Sequence, residues 1–126
     1  MQRFLTPQDA LLNLPFCSAV RVGDLLYLSG AIGNRPGTLT LVEGGTAAEA
    51  RQAMENIGAT MKHCGLVFDD VVKFTIMLAD MTEWAAFNQV YVGYFAPGKL
   101  PARSAFGCSG LALGARLEIE AIARYP

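Results

Sequence analysis

Two stretches near the C-terminal end hold the residues best suited to chemistry. Arg103 stands in Leu100-Pro101-Ala102-Arg103-Ser104-Ala105-Phe106, an otherwise mostly apolar run. A guanidinium in such company must find an anion or stay in water, because burying it unpaired is costly. Its planar fork of donors matches a carboxylate, which makes Arg103 a candidate clamp for an organic acid. The same residue would also serve as half of a structural ion pair with a nearby Asp or Glu. The second stretch is Leu117-Glu118-Ile119-Glu120-Ala121-Ile122-Ala123. Strand alternation puts Leu117, Ile119, Ala121 and Ala123 on one face and both glutamates on the other. A carboxylate near an arginine clamp can position a water or carry a proton. Solvated edge glutamates, or partners for Arg116 and Arg124, fit the same pattern, and spacing alone leaves both questions open.

Few other groups compete for the role. The chain has no Walker loop, no G-x-G-x-x-G after a strand, no G-x-S-x-G and no H-E-x-x-H. His63 adjoins Cys64, but adjacent helical residues do not face each other, which argues against a nucleophile–base pair. Cys17, Cys64 and Cys108 are an odd number with no close pair, so neither a disulfide framework nor a zinc site is expected. Buried structural thiols are the default for all three. The net charge of −1 and the scattered basic residues leave no electrostatic footprint for nucleic acid. No signal-like segment and no apolar run of spanning length is present, so the reading is a cytoplasmic protein without a membrane partner.

The elements that must position these residues follow from periodicity. Met1 to Pro15 reads as an irregular lead-in. Ser18–Val22 and Leu25–Ser29 flank Gly23-Asp24 and read as a β-hairpin. Thr38–Val42 is expected as a short third strand. Thr46 followed by Glu49 reads as a capping box opening a helix. Ala50, Ala53, Met54, Ile57, Met61 and Cys64 then fall on one face, and Gly65 closes the helix. Val71–Ala79 is a strand, and a second helix starts near Thr82 with Trp84, Phe87, Tyr91 and Tyr94 on one stripe. Strands Arg103–Cys108 and Ala115–Arg124 complete the order β-β-β-α-β-α-β-β. This is an α+β fold of one domain over residues 1–126, a single sheet with both helices on one face.

The sheet's other face is the problem. Leu25 and Tyr27 oppose Leu26 and Leu28, and Val71 and Met77 oppose Val72, Phe74, Ile76 and Leu78, so both faces carry apolar groups. Mean hydropathy is +0.32 and the hydrophobic fraction 52%, more than two helices can cover in so short a chain. Burial of the second face against copies of the chain is expected.

Several stretches in this order resemble the Rid/YjgF family, known also as L-PSP endoribonuclease or translation inhibitor. They are Ala19-Val20-Arg21-Val22-Gly23-Asp24-Leu25-Leu26-Tyr27-Leu28-Ser29-Gly30, Arg51-Gln52-Ala53-Met54-Glu55-Asn56-Ile57, Asp69-Asp70-Val71-Val72-Lys73, Phe87-Asn88-Gln89-Val90-Tyr91 and Tyr94-Phe95. Pro101-Ala102-Arg103-Ser104 with Leu117 to Ala123 is the strongest match. The resemblance implies a chorismate-mutase-like fold in a barrel-like homotrimer with clefts between subunits. It implies hydrolysis of enamines and imines released by pyridoxal-phosphate enzymes, typified by 2-aminoacrylate, to 2-keto acids and ammonia, with no cofactor and no metal. The family's carboxylate-binding arginine falls on Arg103 and its water-positioning glutamate on Glu118. Ser29, Gly30 and Asn88 match its cleft residues.

Departures from the pattern bear on the substrate. Phe16 stands where the family commonly has a tyrosine, Ala105 where it often has cysteine, and Leu111-Ala112 where it has Leu-Pro. A cleft lined by Phe16 and Ala105 is expected to favour a larger or more hydrophobic imino acid. Two other functions stay open: a regulatory module that binds a 2-keto acid without turnover, and a ribonuclease or translation inhibitor.

Overall fold

The computed structural model describes residues 1–126, and its organisation starts from a hairpin. Ala19–Val22 (β2) and Leu25–Leu28 (β3) pair in antiparallel register with Val22 opposite Leu25. The two-residue turn between them needs a left-handed residue, and Gly23 supplies it at φ 61°. A short strand Gln2–Phe4 (β1) joins the free edge of β2. The lead-in is therefore not wholly irregular; three residues carry too little alternation to announce a strand that exists only by pairing. Pro7–Ala10 (α1) is a single helical turn whose N-cap Thr6 accepts from the Asp9 N–H.

Gly45–His63 (α2) is the long helix. Its N-cap is Gly44 in a left-handed conformation, φ 115°, so the expected capping box does not form. Thr46 and Glu49 lie inside the helix and are each drawn to a tertiary partner instead. The Thr46 hydroxyl donates to the Glu83 carboxylate, and buried Glu49 accepts from the Arg116 N–H at 2.9 Å. The C-terminal expectation holds. Gly65 has φ 82°, its N–H donates to Lys62 O, and the Leu66 N–H reaches back to Met61 O, a Schellman closure.

Val71–Leu78 (β4), Trp84–Tyr91 (α3) and Ala102–Gly107 (β5) form a crossover unit in which β4 and β5 run parallel. Leu117–Arg124 (β6) inserts between β3 and β4, giving the mixed sheet β1-β2-β3-β6-β4-β5. The expected strand at Thr38–Val42 is absent; the segment is loop, touching the fold through one isolated bridge, Asn34 to Leu41.

One face of the sheet is the core. Leu26, Phe74, Ile76, Leu117, Ile119 and Ala123 are fully buried against Ala50, Ala53, Met54, Ile57 and Phe87 of the two helices. Each large side chain so buried contributes about 1.5–3 kcal/mol. The alternation expected along β4 is broken at its start. A bulge between Val71 and Lys73 turns Val71 into the core beside Phe74 and leaves Val72 47% exposed. The opposite face carries Tyr27, Met77, Phe106 and Ile122, and Tyr27 and Phe106 remain 44% and 46% exposed.

Candidate active site

Glu118 leaves β6 on the open face, opposite Met77 of β4. Its side chain lies directly against Gly30, just past the end of β3. A Cβ built on Gly30 would meet the Glu118 Cδ at 2.9 Å and Cγ at 3.1 Å. Gly30 is thus the residue whose missing side chain makes room for the carboxylate. Burial, followed by the charge of Glu120, raises the Glu118 carboxyl above its ordinary range. Glu120 shares the face but is exposed.

The neighbouring Ser29 holds the wall together. Its N–H donates to Ser18 O at 3.0 Å, and its hydroxyl donates to Cys17 O at 2.7 Å. The proton of that hydroxyl is committed, while its lone pairs remain free to accept. The same contacts fix the Cys17–Ser18 backbone beside β3. Phe16, Ser29, Gly30 and Glu118 line one cavity of about 910 Å³, whose apolar walls include Leu14 and Leu113.

Arg103 lies elsewhere. It pairs in register with Phe74, whose side chain points to the core, so its own side chain leaves the sheet on the helix side. The guanidinium carbon stands 4.8 Å from the centre of the Tyr91 ring, 5.4 Å from Trp84 and 5.8 Å from Phe87. These rings form a cation–π platform. The three ion pairs of the chain are Lys99–Asp69, Arg116–Glu83 and Arg124–Asp24, and Arg103 belongs to none. The structural ion pair left open by the sequence is therefore not made within the chain. Beside the platform, Asn88 Oδ1 and the Tyr91 hydroxyl are buried without a hydrogen-bond partner. Burial pushes the Tyr91 hydroxyl pKa up, and the Arg103 charge opposes the shift.

The residues singled out from sequence therefore fall into two groups. Phe16, Ser29, Gly30 and Glu118 share the cavity. Arg103, Asn88 and Ala105 belong to β5 and α3, outside it. Arg103 and Glu118 leave opposite faces of the sheet, three residues out of register, on strands that stand roughly 10 Å apart with β4 between them. Within one protomer Ala105 does not line the cavity that holds Phe16. The aromatic platform was legible only as a helical stripe; its role needed the parallel β4–β5 register that brings Arg103 under α3. No three His, Cys, Asp or Glu side chains stand close enough together to hold a metal ion. No helix is long and apolar enough to cross a membrane.

One loop residue is strained. Leu113 adopts φ 59° and ψ 18°, a left-handed conformation that costs a leucine about 1–2 kcal/mol.

A mixed sheet with two helices on one face, a carboxylate seated on a glycine and an arginine on an aromatic platform define an α+β fold of the YjgF type. The structure of YjgF from E. coli superposes with a TM-score of 0.90 at 30% identity over the whole of both chains. RidA from an Antarctic Psychrobacter gives 0.90 at 35% identity, covering 99% of this chain and all of that one. The family model described as Endoribonuclease L-PSP matches residues 8–125, and the chain belongs to that family, the Rid/YjgF family. Among curated relatives, the 2-iminobutanoate/2-iminopropanoate deaminase of Mus musculus is 45% identical over 109 residues, 86% of this chain and 80% of the relative. Its counterpart from Homo sapiens is 43% identical over 86% of this chain and 79% of its own length.

Proposed function

We propose that this chain is a deaminase that hydrolyses small enamine and imine acids of the 2-aminoacrylate and 2-iminopropanoate type. The single observation that carries the reading is the Arg103 guanidinium, set on three aromatic rings with no carboxylate of its own chain to answer it. A substrate carboxylate is the partner such a fork fits. The names of the relatives at 43–45% identity agree with it.

The chemistry asks little of the protein. The imine carbon is already electrophilic. Glu118 accepts a proton from the attacking water while the water oxygen bonds to that carbon and the nitrogen gains a proton. Collapse of the carbinolamine forms the carbonyl, breaks the C–N bond and releases ammonia, leaving a 2-keto acid. A carboxyl held above its ordinary range is suited to taking and returning that proton. Proximity and orientation supply the remaining gain.

Because Arg103 and Glu118 leave opposite faces, the complete site is formed between copies of the chain. Phe16, Ser29, Gly30 and Glu118 come from one protomer, and Arg103 with Asn88 and Ala105 from its neighbour. The apolar open face, with Tyr27 and Phe106 each more than two-fifths exposed, supports assembly, and a homotrimer with inter-subunit clefts is the form proposed. Scattered basic residues and a net charge of −1 argue against a nucleic-acid partner.

An imine-trapping assay tests the reading. A dehydratase makes 2-aminoacrylate from serine, semicarbazide traps the imine, and this protein competes. Trapping is expected to slow, and Arg103→Ala to weaken the effect about 10²-fold while remaining folded, the scale of one lost charge-assisted pair. Phe16 lacks a hydroxyl and Leu111-Ala112 alters the final loop, and these two departures support the binding-module reading. Tight binding of a 2-keto acid with no change in trapping would establish that alternative.

A further inference from the structure

Leu113 stands out once the cavity is taken as the imine site, and the inference below rests on that reading. Two non-glycine residues adopt positive φ, Asn13 and Leu113. Asparagine tolerates the left-handed region; leucine does not. Strain of this kind persists when something else repays it. In Leu113 nothing within the chain does so. Its side chain is 53% exposed and lies outside the core cluster. The next residue, Gly114, is also left-handed, at φ 71°, and a glycine at 113 would hold the same turn without the steric strain. What Leu113 does reach is the cavity, where it shares the walls with Leu14, Phe16, Gly30 and Glu118.

We infer that Leu113 is a specificity-determining residue that selects imino acids with side chains larger and more apolar than methyl. The cavity, about 910 Å³ before the neighbouring copy closes it, is many times the size of a three-carbon acid. Leu14, Phe16 and Leu113 are apolar members of the lining it shares with the carboxylate. A branched aliphatic side chain entering there buries the exposed leucine together with itself. An apolar contact of one or two methylenes discriminates by about tenfold or more.

The test compares two imines made in place by an L-amino acid oxidase, one from leucine and one from alanine, on wild type, Leu113→Gly and Leu113→Asn. The wild type is expected to show the higher kcat/KM on the leucine imine. Both variants lower the ratio of leucine to alanine rates about tenfold, while Leu113→Gly melts at or above wild type because its backbone strain is gone. Binding of 4-methyl-2-oxopentanoate against pyruvate, measured by calorimetry, is a second readout that needs no turnover, and the same preference should shrink in both variants. Unchanged ratios in both variants overturn the inference and leave the deaminase reading intact. Loss of assembly in Leu113→Gly also overturns it, because the leucine would then be a contact between copies. Absence of hydrolysis on either imine sinks the deaminase reading instead, and the calorimetric ratio still decides the role of Leu113.

Discussion

At the scale of single residues, Glu118 and Gly30 act as a pair. The glycine leaves the space, and the carboxylate fills it at the cost of being partly desolvated beside Glu120. Because the folded carboxyl titrates above its ordinary range, folding favours its protonated form. Its contribution to stability is fully present below the unfolded pKa, about 4.3, and is lost as pH rises through the folded one. Glu118→Gln is therefore expected to melt with the wild type in acid and above it at neutral pH, while losing hydrolysis. Thermal melts across that range, beside the trapping assay, check both halves. Gly30→Ala is the complementary change. The added methyl meets the mobile end of the glutamate rather than backbone, so the fold should persist and the rate should drop as the carboxylate is displaced. An undiminished rate in Gly30→Ala would mean that the seat of Glu118 is not needed. The family resemblance singled out Glu118; as candidates, Arg103 and the pair Glu118 and Glu120 were legible from residue type and alternation. Their separation was not, because the face taken by β5 depends on a register that no local pattern encodes.

At the scale of elements, three pieces far apart in sequence are tied by one acidic side chain. Glu83, in the turn before α3, accepts from Arg116 at the start of β6 and from Thr46 in the first turn of α2. The Arg116 hydrogen bond first, then that of Thr46, holds its carboxyl below the usual range. A depressed pKa gives stability that is present above the unfolded pKa and lost as pH falls through the folded value. Glu83→Gln should therefore lower the melting temperature by a few degrees at neutral pH, with the gap closing on acidification; a pH-independent gap would show that the charge is not what matters. The same contact explains why the sequence misled at the start of α2. Thr46 and Glu49 have the spacing of a capping box, yet both spend their oxygens on tertiary partners and leave the N-cap to Gly44. The hairpin, α2, β4 and β6 were readable because their periods are long and clean. Three-residue β1, the loop at Thr38–Val42 and the Val71–Lys73 bulge were not, because pairing rather than composition decides them.

At the scale of the whole molecule, a sheet with one face packed and one face apolar but open asks for copies of itself. A closed ring buries that face in every protomer and can bring each cavity to a neighbour's arginine. In solution the expected mass is three times the 13.5 kDa of one chain. The measurement that tests the central claim most directly is complementation in mixed assemblies. Arg103→Ala and Glu118→Gln are each expected to be inactive in imine hydrolysis. Unfolded together and refolded at equal amounts, they should regain roughly a quarter of the wild-type rate, because random mixing around a ring leaves about that fraction of sites with both residues intact. Mixed assemblies, verified by mass, that stay as inactive as either parent would contradict a site built from Arg103 of one copy and Glu118 of the next.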